Sequence, residues 1–323
     1  MFTHSKTLGA LLMAALPFLA LPSHAQSSKP LHIVLGFPAG GPTDNVARPL
    51  AEQLSAELKR TVIVENRPGA NGNIAASHVA RSPADGSVLF FSTVGAIAIS
   101  PSLYSQLPYD PNKDFKPVSL LVDNSSILVV NVDNPASTAA EFVQNSQRDK
   151  RPTPFSSSGV GSIPHMALEL FSDASQAKLT HIPYKGAAPA IVDIIGGHVS
   201  GFFADAPAVM AHLRGKRLKA LGVAGPHRLP VLPDVPTFEE QGISGVASNN
   251  WYGLFAPAAT PPEVIESLSQ AVARVIAVPE LREKLIALGT VPVGSTPDVL
   301  AQTIERDTTK WAHIIKDKNI TAE

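Results

Sequence analysis

Five residues, Leu31-His32-Ile33-Val34-Leu35, run into Phe37-Pro38-Ala39-Gly40-Gly41-Pro42-Thr43-Asp44. The first stretch has the apolar composition of a buried strand. The second reads as a glycine turn leading into a helix that opens at Thr43 or Asp44. Two adjacent glycines allow a tight turn and leave its N–H groups uncovered. The helix behind adds unpaired N–H groups and a partial positive charge. Strand, turn and helix in that order place an anion seat at the carboxyl end of a strand, where open α/β folds bind ligands. The alternative is a turn that merely joins strand to helix, and only the rest of the chain separates the two.

Strand and helix patterns go on alternating, which predicts an α/β fold with mostly parallel sheets. Val46, Leu50, Leu54 and Leu58 fall at helical spacing, with Pro49 expected to distort the first turns. A strand over 61–65, a turn-rich 66–72, a helix over 73–81 and a strand over 88–91 follow. Two separate strands, 119–122 and 127–130, then carry the chain into a second domain. There the pattern gives a helix near 138–147, a strand or loop at 153–158, a helix from about 161 to 172 and a strand at 179–182. A helix over 187–195, a strand over 199–203, a helix ending near Leu213 and a strand over 218–223 complete that series. The segment 251–255 returns the chain to the first domain, and the tail reads as helices around 262–278, 280–288 and 297–315. Two lobes joined by extended crossings, 26–124 with 249–323 against 125–248, enclose a cleft suited to a small molecule and closed by a hinge.

Composition narrows the function. Lys6, the uncharged apolar run over 8–21 and the small residues at Ser23-His24-Ala25 read as a signal peptide cleaved after Ala25. A membrane anchor fits less well, because the run is short and contains Pro17. The absence of cysteine excludes disulfides, thiolate metal sites and lipid attachment to cysteine. A net charge of −1 without a basic cluster argues against nucleic acid or an anionic membrane as partner. The expectation is an exported, periplasmic, monomeric protein in which any attraction for an anion is local.

A second seat repeats the first. Ser156-Ser157-Ser158-Gly159-Val160-Gly161-Ser162-Ile163-Pro164-His165 is a serine- and glycine-rich turn before a helix, with Ser162 as N-cap and Pro164 in the first turn. An ordinary cap is the alternative for that loop alone, but one such loop per lobe makes a pincer. Tyr184-Lys185-Gly186 lies between a strand and a helix, and Lys185 either pairs with an anion or is a solvated side chain. Asp205 reads first as an N-cap. Asn249 and Asn250 read as turn formers or ligand donors, and Trp251 as core. Enzyme signatures fail: there is no P-loop, no three-glycine dinucleotide loop, no Gly-x-Ser-x-Gly elbow and no His-Glu-x-x-His. Ser162 and His165 are three apart, but a serine–histidine pair needs a third, orienting group.

Segments along nearly the whole chain, among them FPAGGPTDNVARPLAEQLS (37–55), VIVENRPGANGNIAA (62–76), SPADGSVLFFST (82–93), SSSGVGSIPHMALELF (156–171), HIPYKGAAPAIVDIIGGHV (181–199) and WYGLFAPAATP (251–261), resemble the Bug family. These are the periplasmic solute-binding proteins of tripartite tricarboxylate transporters. The resemblance implies a type II, Venus-flytrap periplasmic binding protein that delivers a di- or tricarboxylate, an acidic amino acid or an aromatic acid to a membrane permease, without a cofactor or metal. It implies that the loops 37–44 and 156–165 grip a ligand carboxylate. The candidate ligand-binding residues are Phe37, Ala39, Gly40, Gly41, Thr43 and Asp44 in the first loop, and Ser156, Ser158, Gly161, Ser162 and His165 in the second. Thr93, Tyr184, Lys185, Asp205 and Asn250 complete the set. Two other roles share the pocket: presenting a ligand to a periplasmic sensor kinase, and hydrolysis through Ser162 and His165.

Overall fold

The computed structural model describes residues 1, 2 and 29–322. The cleavage point after Ala25 and nearly all of the signal segment lie outside the described residues. The chain begins with β1 (Leu31–Leu35), α1 (Pro42–Glu57), β2 (Val62–Asn66), α2 (Asn73–Ala80) and β3 (Val88–Thr93). A π-turn, α3 (Ser100–Leu103) and α4 (Pro111–Asp114) lead to the long β4 (Phe115–Asn131). A second series follows as α5 (Ala139–Arg148), β5 (Thr153–Ser157), α6 (Ile163–Ser175), β6 (Leu179–Pro183), α7 (Ala187–Ile195), β7 (Gly201–Asp205), α8 (Ala206–Arg214) and β8 (Leu218–Val223). The chain returns through β9 (Asn249–Pro257) and ends with α9 (Pro262–Ala277), α10 (Pro279–Ala287), β10 (Val291–Pro292) and α11 (Pro297–Asp317).

The strands form one path, β2-β1-β3-β9-β4-β7-β5-β6, with β8 and β10 also paired to β4. Pairing is parallel within β2-β1-β3 and within β7-β5-β6, and antiparallel wherever β4 or β9 takes part. β4 leaves the first lobe and β9 comes back beside it, so those two must oppose each other. β1 has a partner on each edge and apolar clusters on both faces. Its unbroken apolar composition follows from that double burial.

The two strands expected at 119–122 and 127–130 are one. The polar step between them, Asp123-Asn124-Ser125-Ser126, stays in the ladder: Ser125 faces Asn249 of β9, and Ser126 faces Asp205 of β7. Asn124 and Ser126 are buried, so the polar run marks a change of partner and not a turn. Register shifts after Pro117, Leu120 and Leu128 bend the strand on its way between lobes. The start of α1 also differs from expectation. Gly41 is its N-cap and Pro42 its first residue, which puts Thr43 and Asp44 inside the first turn. A proline there removes only an N–H that would lack a helical partner anyway.

Candidate functional site

Four strands end at one cleft, and each hands over to a helix that starts there: β1 to α1, β5 to α6, β6 to α7 and β7 to α8. A small cavity is walled by the first residues of those helices: Pro42 and Thr43, Ile163 and Pro164, Ala187 and Ala188, with Asp205 at the start of α8. Phe37, Pro38 and Phe202 supply apolar wall, and Asn71, Thr93, Ser158, Ser162 and Asn250 supply polar groups. Among the described residues no lysine or arginine lines it. The first-turn N–H groups of a helix have no helical acceptor, and the helix dipole leaves its start partly positive. Several helix starts facing one small space favour an anion without a cationic side chain.

The first loop divides in two. Phe37, Gly41 and Thr43 line the cavity. Ala39 is exposed, and Gly40 faces away from the cavity with its N–H donating to Asp44 Oδ2 at 2.9 Å. Asp44 is buried but turned backward, where Arg48 (2.7 and 2.9 Å) and Asn66 (3.1 Å) also bond it. Burial works to raise its pKa, and those three partners hold it below its ordinary value instead. Ala39, Gly40 and Asp44 therefore do not wall the cavity, and the Gly40–Asp44 bond braces the turn from behind.

The second loop divides in the same way. Ser158 and Ser162 line the cavity. Ser156 is buried in the sheet with its hydroxyl on Gly201 O at 3.0 Å. Gly161 and His165 lie behind the wall, Gly161 N–H donating to His165 Nδ1 at 3.2 Å. Ser162 caps α6 as expected, accepting from His165 N–H at 3.4 Å. Its hydroxyl donates to Gly159 O at 2.6 Å, while the His165 ring stacks on His181 at 4.0 Å. The serine hydroxyl and the imidazole thus have other partners, and no nucleophile–base pair forms. No metal-binding cluster occurs among the described residues. Tyr184 and exposed Lys185 face a neighbouring crevice with Pro38 and Ser158, and Tyr184 OH donates to Asp193 at 2.5 Å.

Thr93, Asp205 and Asn250 do meet in the cavity. Asp205 occupies the N-cap position of α8 without capping it. Its Oδ2 accepts from Asn250 Nδ2 and from Tyr252 OH, each at 2.8 Å. Burial is the main reason its carboxyl is pushed up to about 6. Sequence reasoning missed Pro38, Pro42, Asn71, Ile163, Pro164, Ala187, Ala188 and Phe202. Asn71 left a trace, because it lies in the turn-rich 66–72 and adopts φ +52°, a conformation asparagine tolerates.

The two lobes touch across the cleft. Asn71 Nδ2 donates to Gly161 O at 2.7 Å, and Asn45 Nδ2 of α1 donates to Pro207 O of α8 at 3.0 Å. A Cβ added to Gly161, which has φ +76°, would lie 2.5 Å from Leu103 of the opposite lobe.

Comparison with known proteins gives a consistent picture. The model of the "Tripartite tricarboxylate transporter family receptor" matches residues 46–320. The chain is 33% identical to the protein BugT of Bordetella pertussis, over 90% of this chain and 89% of that protein. It superposes on MatC from Rhodopseudomonas palustris with bound malate with a TM-score of 0.84 and 31% identity, covering 88% of this chain and 98% of that one. A second R. palustris structure, with adipate, gives a TM-score of 0.88 and 31% identity over 91% and 98% of the two chains.

Proposed function

The chain belongs to the tripartite tricarboxylate transporter family receptors, periplasmic solute-binding proteins and not enzymes, and from that membership we propose that it captures a small carboxylate in the cavity between its lobes. The observation that carries this reading is the convergence of the α1, α6, α7 and α8 starts on a space with no lysine or arginine among the described residues of its wall. Phe37, Gly41 and Thr43 would hold the ligand from one lobe and Ser158 and Ser162 from the other, with Thr93, Asp205 and Asn250 at the base. Malate and adipate in the two R. palustris neighbours support a small carboxylate as ligand.

The closed form is the one that contacts a ligand from both sides, so binding stabilises closure. We place the hinge where β4 changes partner at Ser125–Ser126 and where β9 begins at Asn249. That divides the chain into 26–124 with 249–323, and 125–248. In this reading the protein is exported, cleaved after Ala25, monomeric, and docks when closed on the permease of a tripartite tricarboxylate transporter.

The test is thermal unfolding of ligand-stripped protein against mono-, di- and tricarboxylates and their amides. A ligand at about 100 times its Kd adds roughly 2.7 kcal/mol, a rise in Tm of about 4 °C for a chain of this size. A rise with one carboxylate and none with its amide is expected. No rise with any carboxylate would overturn the reading.

A further inference from the structure

We infer that the ligand is not a plain carboxylate but one that carries a hydrogen-bond donor, a hydroxyl or an ammonium, which docks on the free oxygen of Asp205. This rests on the carboxylate reading above and narrows it.

Asp205 is 6% exposed and, among the described residues, is the one titratable group in the cavity wall. Asn250 and Tyr252 both donate to its Oδ2, while its Oδ1 is buried with no hydrogen-bond partner. Asn71 repeats the pattern. Its Nδ2 is committed to Gly161 O, and its Oδ1 is buried and without a partner. Two cavity-lining side chains therefore each keep a buried acceptor without a partner. A buried acceptor left unpaired is costly, because it has lost its water without gaining a partner. A second carboxylate placed there would set acceptor against acceptor and charge against charge, whereas a hydroxyl or ammonium meets the need. The cavity is thus polarised. Helix starts with their N–H groups favour a carboxylate, and Asp205 with Asn71 favours a donor. Burial raises the pKa of Asp205, and its two neutral donors, Tyr252 and Asn250, offset only part of that rise.

The experiment is calorimetry on stripped protein with three matched series: propionate, lactate and alanine; succinate, malate and aspartate; glutarate, 2-hydroxyglutarate and glutamate. In a series that binds, the substituted acid should bind at least about tenfold tighter than its parent, the net worth of one good hydrogen bond. Asp205→Asn should abolish that preference. It should weaken an amino acid more than a hydroxy acid, because only the former loses a charge partner, and this separates the two donors. A parent acid that binds as tightly as its substituted forms overturns the inference on the unaltered protein alone, whatever the variant does to folding. So does a preference that survives in folded Asp205→Asn. Binding of parent acids leaves the carboxylate reading intact; no binding by any acid overturns both.

Discussion

At the scale of single residues, buried Asp205 and half-buried His181 titrate in the same range with opposite effects on stability. Asp205 moves from an ordinary 3.8 to about 6, burial being the main cause. Between those values the folded protein holds more protons than the unfolded chain, so stability falls as pH rises. His181 moves from 6.5 down to about 4, first through burial and then through the neighbouring His165. Between 4 and 6.5 the unfolded chain holds more protons, so stability rises with pH. The two slopes oppose each other between pH 4 and 6. Asp205→Asn should make Tm climb more steeply with pH over that range than in the parent, and His181→Gln should make it climb less or fall. The Asp205 effect is worth up to roughly 3 kcal/mol across the range, and the His181 effect less, because solvent screens a half-buried ring. Melting curves of the three proteins at pH 4, 5 and 6 check this, and parallel profiles would refute it. The sequence marked Asp205 as a helix cap, because a short polar residue between strand and helix usually is one. Tyr252 and Asn250, more than forty residues away along the chain, redirected its side chain, and no local pattern carries such information.

At the scale of elements, closure depends on how closely the second loop approaches the first lobe. Gly161 combines φ +76° with a position where a Cβ would strike Leu103 at 2.5 Å. Gly161→Ala should therefore strain the loop and hold the lobes apart, weakening every ligand about tenfold or more in calorimetry. Asn71→Ala removes one cross-cleft bond without adding bulk, so it should cost a smaller factor, about fivefold. Equal affinity in both variants would mean that the Asn71–Gly161 contact does not take part in the bound state. The elements themselves were largely legible. β1, α7 and β8 run over the expected residues, because apolar periodicity reports burial directly. β4 was not, because its polar middle looks like a turn when its partners are unknown. The gripping loops were legible as segments but not residue by residue. Gly40, Asp44, Ser156 and His165 share the composition of the cavity wall while serving as its backing.

At the scale of the molecule, the lobes share two crossing strands, β4 and β9, and rest against each other through Asn71–Gly161 and Asn45–Pro207. Small-angle scattering should therefore find Asn71→Ala, combined with Asn45→Ala, more expanded than the parent when both are stripped of ligand, and the two alike at saturation. An identical radius in both states would place closure under other contacts. One consequence of the strand order concerns how such a chain comes into being. β9 lies between β3 and β4 in the sheet, although more than a hundred residues separate it from either in the chain. A chain growing or threading from its amino end displays β3 and β4 with bare edges, each a template for the wrong neighbour, until residue 257 arrives. The second lobe, 125–248, is continuous and its strands pair without β9, so the vulnerable interval belongs to the first lobe, whose sheet stays open until β9 has emerged.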